Sequence, residues 1–201
     1  MNIQIKKLTP ADAEEYIHFF ETTPHDDYNP ENTCYCVSWC SDDHRTMAAY
    51  PSREERRTMA AEYVKSGKIQ GYLAYADGQI VGWCNANTKS ECTNCGGWLF
   101  SMPQVSQLPF DQNEKVKSIY CFLVAPDRKR KGIARKLLQY ACRDAARCGF
   151  EYVEAYPQKE AADERMFFMG FVSLYQDMGF DIYAETEDQW VMRKQLKQYV
   201  E

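Results

Sequence analysis

One junction constrains this chain more than any other feature. Residues 118–125 read Ser-Ile-Tyr-Cys-Phe-Leu-Val-Ala, a nearly continuous apolar run that stops at Pro126. Directly after it, residues 127–136 read Asp-Arg-Lys-Arg-Lys-Gly-Ile-Ala-Arg-Lys. Ile133, Leu137, Leu138, Ala141, Cys142 and Ala145 then recur at helical spacing. The pattern predicts a buried central strand, a short basic loop and an amphipathic helix packed back on the sheet. The first amides of a helix have no partner within it and lie at the positive end of its dipole, so an anion is favoured there. Gly132 and Ala134 have little or no side chain, which lets a phosphate approach the backbone. The plain alternative is a solvated basic face.

The location of the charge matters more than its total. The decapeptide holds six basic residues and one acidic one, inside a chain of 201 residues with net charge −5. The rest of the chain therefore carries −10, which argues against nucleic-acid binding over the whole surface. An anionic ligand would have to meet this local positive site. A P-loop is not matched, because no second glycine precedes a Gly-Lys-Ser/Thr. No G-x-G-x-x-G is present either. The longest apolar run, Ile119 to Ala125, is far too short for a membrane span. The opening residues lack an apolar signal core, so a cytoplasmic protein is expected, with its nine cysteines reduced.

The remaining elements follow from local chemistry. A short strand is expected near Ile3 and Ile5, then a helix capped by Thr9 with Pro10 at its first position, running to about Phe20. Residues 21–51 are turn-rich. Ser52 followed by Glu55 is a capping-box pattern for a helix to Ser66, ended by Gly67. Asp77-Gly78 between two β-type segments marks a hairpin. Residues 87–115 are expected to be a loop insertion. A strand at Glu151–Tyr156, a helix from about Glu164 to Met178 and a final hairpin complete the order.

The segment Val124-Ala-Pro-Asp-Arg-Lys-Arg-Lys-Gly132-Ile-Ala134 resembles the acyl-CoA signature of the GNAT superfamily of N-acyltransferases. That signature is Gln or Arg, two residues, Gly, one residue, then Gly or Ala. Lys129 takes its first position and is a departure. Arg130 stands where glycine is frequent. A second stretch, Tyr175-Gln-Asp-Met-Gly179-Phe180, resembles the Tyr-x-x-x-Gly-Phe ending of the family's later helix. Phe168 stands where many members have asparagine. The resemblance implies an α/β (α+β) three-layer fold. Its central sheet would be mixed and mostly antiparallel, with six to seven twisted strands and helices on both faces. Residues 1–201 would form one N-acetyltransferase domain with insertions at about 21–51 and 87–115.

By the same resemblance the cosubstrate is acetyl-CoA, and no metal is required. Phe122, Leu123 and Val124 would lie beside its pantetheine arm. Lys129, Arg130, Lys131, Gly132, Ile133 and Ala134 would bind its pyrophosphate. Arg128, Lys131, Arg135 or Lys136 could meet the 3′-phosphate. The acceptor would be a primary amine of a small molecule or peptide, attacking directly in a ternary complex. An alkylammonium with a pKa of about 10.4 must first lose a proton, which Glu154 could accept. Tyr175 could supply a proton to the departing thiolate. Glu151, Tyr120 and Tyr156 are weaker candidates. Nucleic acid and membrane are not expected partners, and a homodimer is an arrangement the family often shows.

The cysteines offer an alternative reading. Cys34, Cys36 and Cys40, with His44 beyond, and the Cys92-x-x-Cys95 pair suggest half of a zinc site. On that reading the chain is a Cys-rich metal-binding or interaction module on the same fold, with weak or lost CoA binding. Cys84, Cys121, Cys142 and Cys148 lie in apolar patterns and are expected in the core. Tyr28, Tyr35, Trp39, Trp83 and Trp98 could line an acceptor pocket, although packing explains each one individually.

Overall fold

The computed structural model describes residues 2–23, 29–40, 51–160 and 164–197. The side chains of 164–166, together with Tyr28 and His44, lie outside what is described. Seven strands form one mixed sheet: β1 (Gln4–Lys7), β2 (Gly71–Ala76), β3 (Gln79–Thr88), β4 (Val116–Val124), β5 (Tyr152–Ala155), β6 (Asp181–Glu185) and β7 (Trp190–Gln195). Their order is β1-β2-β3-β4-β5-β7-β6. Only the β4–β5 pair is parallel. The β2–β3 turn follows from its sequence: Asp77 and Gly78 both have positive φ, 53° and 81°, as a two-residue hairpin turn with the right twist demands.

Helices α1 (Ala13–Thr22) and α2 (Arg53–Lys65) cover one face. Thr9 does cap the first of them, through a 3₁₀ turn at Pro10–Asp12, with the Asp12 carboxylate accepting from the Thr9 amide at 2.7 Å and hydroxyl at 2.6 Å. Ser52 and Glu55 form the expected capping box on α2. Two further helices, α3 (Lys89–Cys92) and α4 (Gly96–Ser101), sit within 87–115 on the same face. Helices α5 (Ile133–Arg147) and α6 (Val172–Asp177) cover the opposite face. Each face buries its own apolar cluster, which gives three layers.

Three expectations need correction. Residues 87–115 are not a plain loop. β3 runs on to Thr88, and α3, α4 and a 3₁₀ turn at Val105–Gln107 follow. Trp98, Met102 and Val105 are buried there because the sheet offers them an apolar face, which no local pattern reveals. The helix expected over 164–178 is two pieces: a kinked 3₁₀ segment at Glu164–Met169, then α6. Gly170, with φ 86°, breaks it. Cys148 is exposed at the end of α5 rather than in the core.

Two details position the region after β4. The register of β4 on β3 passes from Cys121–Asn85 to Ile119–Ala86, so Tyr120 is an extra, bulged residue. The bulge switches the alternation: Ile119 and Phe122 face α5, whereas Tyr120 and Cys121 both join the cluster under α1 and α2. Gly82 of β3 then seats the start of α5, since a Cβ there would lie 2.8 Å from Ile133 Cγ2.

Candidate active site

β4 and β5 pair over only four residues, Val116–Ile119 against Tyr152–Ala155. β4 continues to Val124, still paired with β3 on its other side. From Tyr120 onward its β5-side edge therefore has no strand partner among the described residues, and Phe122, Leu123 and Val124 lie along that open edge. The edge leads straight into the basic loop.

The loop brings backbone amides and cationic side chains together at a helix start. Lys129 is extended, Arg130 is left-handed with φ 62°, and Gly132 is left-handed with φ 76° at the N-cap of α5. Arg130 thus adopts the backbone that glycine takes most cheaply. The first bond of α5 runs from the Lys136 amide to the Gly132 carbonyl at 3.1 Å. The amides of Ile133, Ala134 and Arg135 precede it and have no acceptor within the helix. A Cβ on Gly132 would meet nothing within 4 Å, so space adjoins these amides. Lys131 donates to the Asp127 carbonyl at 2.8 Å and Arg128 to the Asp127 carboxylate at 2.9 Å, which fixes the loop on itself. Arg135 is tied to Asp177 of α6 at 2.5 Å.

Tyr175 lies on α6 in the α5-side cluster and is fully buried. Its hydroxyl donates to the Met169 carbonyl at 2.5 Å. Burial pushes its pKa well up, with smaller contributions from Cys84, Cys121 and Cys142. It is therefore a persistent O–H donor.

Glu154 lies on the other face, where β4 and β5 part, and its side chain is fully buried. Oε1 accepts from Lys89 Nζ at 2.5 Å and from the Tyr156 hydroxyl at 2.8 Å. Oε2 accepts from Arg193 Nε at 2.7 Å and pairs with its second guanidinium nitrogen at 2.6 Å. Four donors fill the roughly four lone-pair directions of a carboxylate. The sequence expectation has Glu154 facing the amine; its neighbours here are Lys89, Arg193 and the Tyr156 hydroxyl. That hydroxyl is 2.7 Å from Ser118 Oγ, so Ser118, Tyr156 and Glu154 form a continuous chain. Burial lowers Lys89, and Glu154 only partly restores it. Arg193 is raised: burial opposes this, but Glu154 and Glu114 outweigh it.

Both insertions reach this point. Trp39 stacks on Tyr120 at 4.8 Å and 9°, and Tyr120 stacks on Tyr156 at 5.8 Å and 13°. Trp98 stands edge-on to both tyrosines. Lys89 Nζ lies 4.4 Å from the Phe110 ring centroid. The Tyr120 hydroxyl is buried next to Ser118 and Cys92. Lys89 and Arg193 were not foreseen: one sits in an apparent loop, the other in a strand, and neither carries a local signal. Glu151 lies apart from this chain, its carboxylate accepting from the Lys115 amide at 3.4 Å.

The cysteine groups do approach one another. Cys40 accepts from Asn87 Nδ2 at 3.3 Å, and Cys92 shares a hydrogen bond with Cys95 and feels Cys40. That hydrogen bond, then burial, drives the Cys92 thiol well up. Among the described residues no group of three or more Cys, His, Asp or Glu is arranged to hold a metal ion. Trp83 Nε1 donates to Cys36 at 3.4 Å, so Trp83 and Cys36 serve packing.

The profile of the acetyltransferase (GNAT) family matches residues 34–180. Solved structures with the same fold include the acetyltransferase of the GNAT family from Streptococcus pneumoniae. It is 19% identical, with 98% of this chain and all of that one covered, at a TM-score of 0.52. The ribosomal-protein-alanine N-acetyltransferase from Brucella melitensis is 15% identical, with 96% and 99% covered and a TM-score of 0.53. A Salmonella typhimurium protein assigned as an acetyltransferase, crystallised with its cofactor acetyl-CoA, is 17% identical, with 99% and 96% covered and a TM-score of 0.51. No curated protein matches the sequence. No helix among the described residues is long and apolar enough to cross a membrane.

Proposed function

The chain belongs to the acetyltransferase (GNAT) family, and from that premise we propose that it transfers an acetyl group from acetyl-CoA to a primary amine of a small molecule or peptide. The observation that carries this reading is the open edge of β4 running directly into the unpaired amides at the start of α5. An extended amide-bearing arm can add to a strand edge. A pyrophosphate can sit on helix amides flanked by Lys129, Arg130 and Lys131. Residues 1–201 then act as one catalytic domain, whose insertions at 21–51 and 87–115 shape the acceptor side.

Acetyl-CoA, when bound, supplies an activated thioester. In the reaction the ammonium first releases one proton, and the free amine forms a carbon–nitrogen bond as the carbon–sulfur bond breaks. The nitrogen then loses a second proton, and the thiolate leaves with one proton taken up, so that one proton in net passes to solvent. The chain's residues divide this work between the two faces of the sheet. Ser118, Tyr156 and Glu154 lead the amine's proton inward. Ser118 donates to Tyr156 because the Tyr156 proton is committed to Glu154, leaving a Ser118 lone pair for the incoming proton. Lys89 and Arg193 hold Glu154 in place. On the α5 side Tyr175 donates a hydrogen bond to the departing sulfur. Its raised pKa makes that role stabilisation by O–H rather than full ionisation.

Calorimetric titration and thermal melting with acetyl-CoA test this reading. Saturating acetyl-CoA should raise Tm, and at about 100 times Kd the gain is about 2.7 kcal/mol. Gly132→Glu places a charge against the phosphates and strains a left-handed position, so binding should fall at least tenfold while the fold survives. Thiol release with a panel of primary amines then identifies the acceptor. If millimolar acetyl-CoA neither binds nor raises Tm, the proposal is wrong.

A further inference from the structure

The break between the Glu164–Met169 turn and α6 sits beside the Tyr175 hydroxyl. Gly170 is buried and left-handed, with φ 86°. A Cβ at Gly170 would lie 2.9 Å from Tyr175 Oη, 3.1 Å from Cε2 and 3.2 Å from Cζ. The tip of the phenol therefore occupies the volume that any side chain on Gly170 would fill. The carbonyl that accepts the Tyr175 proton, at 2.5 Å, belongs to Met169, the residue bonded to Gly170. The ring is braced from the other side by Phe180, edge-on at 5.3 Å and 62°. The backbone before the helix thus meets the phenolic oxygen, and Phe180 after it packs on the ring.

We infer that Gly170 is a positioning residue for Tyr175: its left-handed turn and missing side chain set where the phenolic oxygen lies and which way its proton points. This rests on the reading of Tyr175 as the donor to the departing thiolate. A continuous helix through 164–178 would carry a Cβ against the phenol and aim the Met169 carbonyl along the helix axis. The break brings that carbonyl to the phenolic hydroxyl, so the proton is held in a defined direction until the sulfur competes for it. No covalent step is added, because the hydroxyl only exchanges one acceptor for another.

A double-mutant cycle on kcat tests the inference. Gly170→Ala adds the Cβ, and Gly170→Asn adds the same Cβ with a residue that tolerates left-handed backbone. Each should lower kcat by about 10- to 100-fold, the scale of a misplacement approaching 1 Å. The KM for acetyl-CoA should stay within about twofold, since the α5 loop is untouched. On a Tyr175→Phe background, which is itself slow, neither variant should cost further kcat. Gly149→Ala controls for strain alone. It has φ 78° and no neighbour within 4 Å of its would-be Cβ, so kcat should be retained. Unchanged kcat in both Gly170 variants would overturn the inference, as would losses of equal size with and without the Tyr175 hydroxyl. If Tyr175→Phe alone keeps full kcat, the donor reading fails first, a result distinct from additive losses.

Discussion

Replacing Glu154 with Gln should unbalance the most heavily charged buried site in the described structure. The carboxylate is fully buried, and the Lys89 and Arg193 side chains are only 6% and 8% exposed. At a separation near 2.6 Å and an effective dielectric of about 20, each cation–carboxylate attraction is about 6 kcal/mol before desolvation is subtracted. The Glu154→Gln substitution removes the charge and leaves two buried cations facing one amide. The NH2 group of that amide must also point at Lys89 and Tyr156 or at Arg193, all of which are donors. Removing one partner of a buried pair typically costs about 3–5 kcal/mol. For a chain of this length that is about 6–20 °C in Tm. Lys89→Met should cost less, because Glu154 and Arg193 remain as a neutral pair. The double variant Lys89→Met/Glu154→Gln should be more stable than Glu154→Gln alone. Only Arg193 then remains, and it keeps Glu114 at 3.1 Å. Urea unfolding of the four proteins gives the coupling energy directly. A Glu154→Gln cost below about 1 kcal/mol, or additive single costs, would refute the claim that this network is mutually dependent.

Lys117 should give stability a distinct pH dependence. Burial, followed by the nearby Lys7, lowers its pKa to about 8. Between that value and the unfolded value near 10.4 the unfolded chain binds more protons, so stability rises with pH. The wild type should gain up to about 3 kcal/mol on Lys117→Met between pH 7 and pH 10.5, measured by urea unfolding; parallel curves would show that Lys117 titrates normally. Gly97→Ala should disturb the acceptor-side stack. Its Cβ would lie 2.6 Å from Trp39 Cε3 and 3.0 Å from the Ser38 carbonyl. Overpacking of that kind costs about 1–3 kcal/mol. Near-UV circular dichroism should change with it, and an unaltered spectrum and Tm would place Trp39 elsewhere.

Much of this protein is legible one segment at a time. The Ser52 and Glu55 capping box, the Asp77-Gly78 turn, the apolar run of β4 and the period of α5 are local patterns, and each forms where its spacing says. The basic loop is legible too, because a strand, a small-residue turn and a helix start lie within twenty residues of one another. What fails locally is whatever depends on a distant surface. The helices in 87–115 form because Trp98, Met102 and Val105 find an apolar sheet face to bury against. The helix expected over 164–178 breaks at left-handed Gly170, whose missing side chain leaves room for the Tyr175 phenol from a later turn.

The layered fold and the place of the basic loop at a helix start are already written in the order of residues, since both rest on short-range periodicity and turn chemistry. The character of Glu154 comes from long-range assembly alone. In the sequence it is a lone strand carboxylate; in the fold it meets Lys89 from 65 positions away and Arg193 from 39. No local preference encodes those meetings. They arise where an insertion and the last strand converge on the parting of β4 and β5, and there burial leaves a carboxylate no stable state without cations to face it.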